Sequence, residues 1–365
     1  MKILLIRLRL IGDVVFTTPL VAALKRTFPD SSLTYLVEKH AAPVVVGNPH
    51  LSEVMVIGRS RGLSRILDDM RLARRLRACR FDVVLDLHGG PRSSWLAWAT
   101  GAPQRIGYDI QGRGWHYTRT VRRPRGLQPQ HSVANQWELL TALPGWTGEV
   151  ADGSKYPAEM PVDPAVDRRI ASRLAAAGVT QRHDVIVIHV SAGNPFRRWP
   201  EPAFATLTAR LAMGGRLRRI ILSSGPSDRA AADRIARAAR GELGAFRAGQ
   251  VLEFEDVDLA ELRALVERSA LFIGGDSGPL HVASTTRTPI VGIYGPTLSV
   301  RSKPWRDPAV ATESVEIDDL PCRPCDQRVC VPGDFRCLTR IDPVAVLAAA
   351  ERALTRVPSR IGMPS

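Results

Sequence analysis

The sequence predicts an α/β protein made of two doubly wound domains facing each other across a cleft, and three observations carry that expectation. Short apolar runs alternate with longer segments of helical period, as in parallel strands covered by helices on both faces. The rhythm occurs once in each half of a 365-residue chain, a length that suits about two domains of ordinary size. Between the halves lies YPAEMPVDPAVD, residues 156–167, with three prolines and few apolar residues, the composition of a linker. The expected boundaries are 1–160, then 161–342 with a cysteine-rich loop at 322–337, then a terminal helix and tail over 343–365.

In the first half, KILLIR, a helix near 19–28, SLTYLVE, and VVLDL at 83–87 form a βαβ-like series. Arg7 and Arg9 interrupt the apolar opening MKILLIRLRLIGD, which is read as a buried strand and not as a signal peptide. In the second half the strands are VIVIHV at 185–190, RRIILSS at 218–224, ALFIGG at 270–275 and PIVGIYG at 289–295. No short-period repeat is evident, so the doubling is architectural. Ligands of open α/β sheets bind at the carboxyl ends of the strands, which directs attention to the loops that follow each apolar run.

Fifty Lys plus Arg stand against 36 Asp plus Glu, a net charge of +14, and all but five of the basic residues are Arg. Such a surface favours anionic partners; a biased Arg- and Ala-rich composition with solvated charges explains it equally well. No uncharged run approaches the roughly 20 residues of a membrane-spanning helix. The expectation is a cytoplasmic protein, with peripheral contact to a membrane surface through its positive charge. Nucleic acid is not expected: the chain has five Tyr and seven Trp, no RNA-binding signature, and no basic run interleaved with aromatics.

The most informative segment is LFIGGDSGPLHVAST at 271–285. A strand runs into two glycines, then Asp276, Ser277 and Gly278, with Pro279 suited to the first turn of a helix. A phosphate there would meet backbone N–H groups, the Ser277 hydroxyl and His281. An ordinary capped turn, with Asp276 or Ser277 as N-cap and His281 packed in the core, explains the loop as well. After VIVIHV come Ser191, Gly193 and Asn194 as turn formers, then Arg197 and Arg198, which can clamp a diphosphate or remain solvated. SSGPSDR at 223–229 offers Asp228 for ribose hydroxyls, or is a turn built on Gly225 and Pro226. Walker, G-x-G-x-x-G, G-x-S-x-G and H-E-x-x-H patterns are missing from the places where they would signal a P-loop, a dinucleotide site or a hydrolase.

Taken in order, I-G-D-V-V-x-T-x-P at 11–19, D-L-H at 86–88 with RIGY at 105–108, RRWPEPAF at 197–204 and D-S-G-P-L-H-V-A at 276–283 resemble glycosyltransferase family nine, the lipopolysaccharide heptosyltransferases. The resemblance spans nearly the whole chain. It implies a GT-B architecture of two Rossmann-like domains, the first for an anionic lipid-linked saccharide acceptor and the second for ADP-heptose. It further implies inverting transfer with no cofactor required for catalysis. Asp13 falls on the family's general base, and Gly12 and Arg105 fall on the acceptor side. Asp276, Ser277, Gly278, Pro279 and His281 fall on the donor's pyrophosphate loop, with Ser191, Gly193, Arg197 and Asp228 beside them. Arg197 stands where relatives commonly carry Lys, so a planar fork replaces a compact ammonium. Alternatives of the same fold are transfer from another nucleotide sugar, or epimerisation of a nucleotide sugar without an acceptor. Asp13 also reads as a helix N-cap in the first turn, and the basic segment 59–80 as an acceptor surface or a solvated helix face.

Cys322, Cys325, Cys330 and Cys337 follow a C-x2-C-x4-C-x6-C spacing, with Cys79 the only other cysteine. In a reducing compartment that cluster suggests a structural zinc or another thiolate-bound metal; two local disulfides or four reduced thiols are the alternatives.

Overall fold

The computed structural model describes residues 1–58, 62–122 and 129–356. Residues 59–61 of the basic segment and 357–365 of the expected tail lie outside the described residues. The chain divides into two compact units, Met1–Pro161 and the remainder from Val162 onward. Much of the expected linker belongs to the first unit: Tyr156, Ala158 and Met160 are buried, and the Glu159 N–H donates to Thr18 Oγ1 at 2.8 Å. Asp163 then caps the first helix of the second unit by accepting from Ala165 N.

In the first unit the strands are β1 (Lys2–Ile6), β2 (Ser32–Glu38), β3 (Glu53–Ile57), β4 (Val83–Asp86), β5 (Gln104–Asp109) and β6 (Arg119–Arg122). The helices between them are α1 (Ile11–Val15), α2 (Thr18–Thr27), α3 (Gly62–Ala78), α4 (Pro91–Ala99) and α5 (Ser132–Trp137). The sheet order is β3-β2-β1-β4-β5-β6, and every pair is parallel. The second unit holds β7 (Asp184–His189), β8 (Arg218–Ser223), β9 (Leu271–Gly275), β10 (Ile290–Tyr294) and β11 (Thr312–Glu316), in the all-parallel order β11-β10-β9-β7-β8. Its helices are α6 (Pro164–Ala176), α7 (Glu201–Met213), α8 (Arg229–Arg247), α9 (Leu259–Glu267), α10 (Gly278–Ala283), α11 (Ser299–Ser302), α12 (Arg336–Thr339) and α13 (Pro343–Thr355).

Burial on both faces explains why these strands read as unbroken apolar runs. Ile186 and Ile188 enter one core with residues of α7 and α13, while Val185 and Val187 enter the other with α6 and α9. Strands β3, β5, β6 and β11 escape the apolar-run criterion because they lie toward the sheet edges and carry charge, as in EVMVI and RTVR.

The direction in which successive strands are added across the sheet reverses between β1 and β4 in one sheet and between β7 and β9 in the other, while the strands stay parallel. Those are the topological switch points, where neighbouring loops diverge and leave room at the strand ends. The loops after β1 and β4 carry Asp13 and His88; the loops after β7 and β9 carry Arg197 and Asp276. In β5, Gly107 is bare for a reason: a Cβ there would stand 2.3 Å from the Tyr117 ring. That ring crosses the strand to donate from its hydroxyl to Asp86 at 2.7 Å. Gly107→Ala is therefore expected to lower unfolding free energy by about 1–3 kcal/mol, the usual cost of overpacking. Denaturant unfolding checks this, alone and together with Tyr117→Ala, which should shrink the penalty; unchanged stability in the single variant would contradict the packing account.

Candidate active site

Asp13 occupies the third position of α1, so it is not the N-cap that one sequence reading allowed; Leu10 is. Its Oδ2 accepts the Leu10 N–H at 3.5 Å and forms an ion pair with Arg7. The Asp13 side chain keeps a third of its surface exposed, whereas Arg7 is buried and also donates to the Leu87 carbonyl at 2.5 Å. Arg7 thus bridges the loop after β1 to the loop after β4. Gly12, one residue earlier, is buried in the same short helix.

Beside this pair, Asp86 is fully buried and collects four donors: the N–H groups of His88 and Gly89, the Ser93 hydroxyl and the Tyr117 hydroxyl. Burial and the neighbouring Asp86 carboxylate push the Tyr117 phenol well above its ordinary range. Burial, then Arg7, push His88 below its ordinary value, which favours the neutral imidazole there. Asp86 therefore organises the turn that presents His88. Arg105 turns inward, donating to the carbonyls of Ala102 and His116 at 2.5 and 2.9 Å. Among the described residues of the basic segment, Arg65 pairs with Asp69, Arg71 with Asp68 and Arg75 with Glu53, while Ile66, Leu67 and Met70 are exposed.

In the second unit the two informative loops meet. Asp276 is 2% exposed, and Arg197 Nη1 approaches its Oδ2 at 3.1 Å while donating to its backbone carbonyl at 3.0 Å. His281 Nε2 stands 3.5 Å from the other carboxylate oxygen. Burial alone would raise the Asp276 carboxyl, but His281 and Arg197, with Thr297, outweigh it and hold it below the usual carboxylate range. Ser277 takes the N-cap position of α10 in extended backbone, yet its hydroxyl makes no cap bond and its Oγ is buried without a partner. Gly278 and Pro279 follow as the first two helical residues. Gly193 is open, with no atom within 4 Å of the place a Cβ would take. Asp228 receives Arg198 at 3.2 Å, joining the loops after β7 and β8. Trp199, the centre of RRWPEPAF, is a structural plug: its indole packs on Phe204 and donates to the Ile341 carbonyl at 3.1 Å.

Two features escaped the sequence reading. His189 is buried, with Nδ1 3.0 Å from Ser223 Oγ and Nε2 3.1 Å from Ser191 Oγ, and Ser191 in turn accepts the Gly225 N–H at 2.8 Å. A neutral ring, donating from one nitrogen and accepting at the other, ties the ends of β7 and β8. The second is Gln327, whose amide oxygen receives both Asn194 Nδ2 and Arg197 Nε at 2.8 Å. Only its place inside the cysteine-rich loop could have pointed to it.

The structural zinc suggested at Cys322, Cys325, Cys330 and Cys337 finds no support. Among the described residues no three His, Cys, Asp or Glu side chains gather in a way that could hold a metal ion, and the cysteines are free. The loop is laid out by other anchors: Arg323 donates to the Ile317 and Thr297 carbonyls and pairs with Glu316, and the Cys325 N–H reaches Pro296. Burial first, then the neighbouring thiols, push Cys337 up to about 11.

Residues 70–332 match the family model described as Glycosyltransferase family 9 (heptosyltransferase). The chain belongs to glycosyltransferase family 9. The matched range includes the loops of Arg197 and Asp276 and stops short of Asp13. A relative named lipopolysaccharide heptosyltransferase 3, from Escherichia coli, is 27% identical over 354 residues, 95% of this chain and 97% of its own. Among solved structures, a family 9 glycosyltransferase from Veillonella parvula superposes with a TM-score of 0.83 at 22% identity, covering 98% of each chain. The E. coli ADP-heptose lipopolysaccharide heptosyltransferase II gives 0.74 at 19% identity, covering 98% of this chain and 99% of its own. The fold of this glycosyltransferase is the α/β two-domain GT-B fold.

Burial pushes His189 down to about 4, below the 6.5 of an unperturbed imidazole. Between those values the unfolded chain binds a proton that the folded glycosyltransferase does not, so this residue makes stability fall as pH drops from about 6.5 to 4. His189→Gln is expected to remove that share of the slope, at most about 1.4 kcal/mol per pH unit. Unfolding curves across this range check it; wild-type and variant profiles of equal slope would contradict the assignment.

Proposed function

We propose that this glycosyltransferase moves a heptose from ADP-heptose onto the inner core of lipopolysaccharide, by inverting transfer without a catalytic metal and with Asp13 as general base. The observation that carries the reading is the junction of Arg197 and Asp276 across the β7/β9 switch point, with the Ser277 hydroxyl buried and unbonded beside it. A diphosphate would meet a guanidinium already oriented by a carboxylate, together with the Ser277 hydroxyl and the backbone N–H groups of Ser277 and Gly278. As the glycosidic bond to ADP breaks, fixed donors of this kind stabilise the charge that develops on the departing phosphate oxygen.

The acceptor hydroxyl must lose its proton as its oxygen attacks the anomeric carbon, and Asp13 is the exposed carboxylate at the first unit's switch point. Arg7 fixes the carboxylate from its buried side, leaving the exposed side for the hydroxyl. The named relatives support a lipopolysaccharide acceptor; an acceptor of that anionic, lipid-linked kind would be met at a membrane surface, which is part of the proposal. Among the described residues no helix is long and apolar enough to cross a membrane.

The test is incubation with ADP-heptose and a lipid-linked core acceptor, following sugar transfer and free-donor epimerisation separately. Wild-type protein should transfer heptose; epimerisation alone, or neither reaction, overturns the proposal. Asp13→Asn should cut turnover by about 10²–10⁴-fold while ADP binding stays near wild type; the unfolding midpoint should fall as well, because the buried Arg7 loses its charged partner. Near-normal turnover in that variant would remove Asp13 from the role of base.

A further inference from the structure

The cysteine-rich loop, stripped of its expected metal, has a contact that the proposed chemistry does not use. Gln327 lies between Cys325 and Cys330 with a left-handed backbone, φ 59°, and its side chain turns to the loop after β7. Its Oε1 accepts from Arg197 Nε and from Asn194 Nδ2, both at 2.8 Å, and its Nε2 donates to Thr297 Oγ1 at 3.3 Å. The assignment of oxygen and nitrogen is over-determined. Asn194 Oδ1 already accepts the Phe196 N–H at 3.0 Å, so its Nδ2 faces Gln327, and an arginine can only donate. Two donors converging on one atom require an oxygen there. A second contact seats the same loop, since the Phe335 ring meets Phe196 edge-on with centroids 5.2 Å apart.

Arg197 is thereby gripped at two points. Nη1 is held by the Asp276 carboxylate and carbonyl, and Nε by the neutral oxygen of Gln327. Two fixed nitrogens on a planar group set its orientation, and Nη2 takes part in none of these contacts. A carboxylate in place of the carboxamide would bind Arg197 more strongly but would also bring negative charge toward a diphosphate. The neutral amide orients the cation without that repulsion.

We infer that Gln327 is a positioning residue of the donor site, and that the cysteine-rich loop serves transfer by holding Arg197 through this amide. The inference rests on the proposed donor-binding reading and names the part of the chain that sustains it.

The experiment is a double-mutant cycle on the full-length protein with Arg197→Ala, read by ADP affinity and by kcat and KM for ADP-heptose. Gln327→Gly removes the amide while suiting the positive φ, and Gln327→Asn, also tolerant of that backbone, shortens the side chain by one methylene. In the Arg197 background both should lower kcat/KM by about tenfold or more, with unfolding midpoints near wild type. In the Arg197→Ala background the same changes should cost less than about twofold, because the group they position is gone. Equal losses in both backgrounds, or no loss in either, overturn the inference alone. Wild-type protein that fails to bind ADP overturns the donor-site reading and this inference with it.

Discussion

A carboxylate removed from water stays charged only where cationic or donor groups meet it, and Asp276 is almost wholly removed. It lies at the end of β9, hydrogen-bonded to the end of β10 through its own N–H, so the main chain fixes its place. The compensating cation must come to it, and Arg197 does so from the loop after β7. Taking one member from a fully buried pair costs about 3–5 kcal/mol; Arg197 is 30% exposed, so solvent screening makes the cost here smaller. It is still enough to decide where that loop goes. The rest of the second unit's functional edge follows: Trp199 plugs the core just beyond, Arg198 reaches Asp228, and Gln327 closes from the other side.

The first unit applies the same device with the exposures reversed. Here the arginine is buried and the carboxylate is the group in reach of solvent. Charge buried with Arg7 demands an acid, and Asp13 answers from the third position of a five-residue helix, where its oxygen also satisfies the Leu10 N–H. A base held this way loses little freedom when a hydroxyl arrives, which is what preorganisation at a reacting centre requires. Asp86 takes no part in that exposure. With four donors on two oxygens it is a girder for the D-L-H turn, and Gly107 is bare so that Tyr117 can be the fourth.

Sequence reading reached the architecture and the loops because both rest on local signals. Strands buried on two faces read as apolar runs, and loops that must turn at strand ends advertise Gly, Ser, Asn and Pro. Asp13, Arg197 and Asp276 were legible as charged residues at such ends. What stayed hidden is pairing over long separations: Arg197 to Gln327 spans 130 positions and Arg7 to Leu87 spans 80. No spacing rule connects residues that only the sheet order brings together. The cysteine pattern misled for the complementary reason. Four close thiols are a local signal, whereas the course of the loop that carries them is set by anchors such as Arg323, whose partners Glu316 and Thr297 lie outside the pattern.

Arginine fixes much of the surface of both units: Arg75 on Glu53, Arg268 on Asp167, Arg234 on Glu201, and Arg352 with Arg356 on Glu313. Exposed pairs of this kind contribute about 0–1 kcal/mol each and are screened by salt. They also show why an excess of arginine is a poor map of where an anion binds, since a guanidinium already matched to a carboxylate offers little net charge to a ligand. The informative cation is one whose partner is buried and whose fork is only partly used. Arg197 meets both conditions in the second unit. Arg7, buried with its carboxylate turned outward, belongs instead to the base it orients.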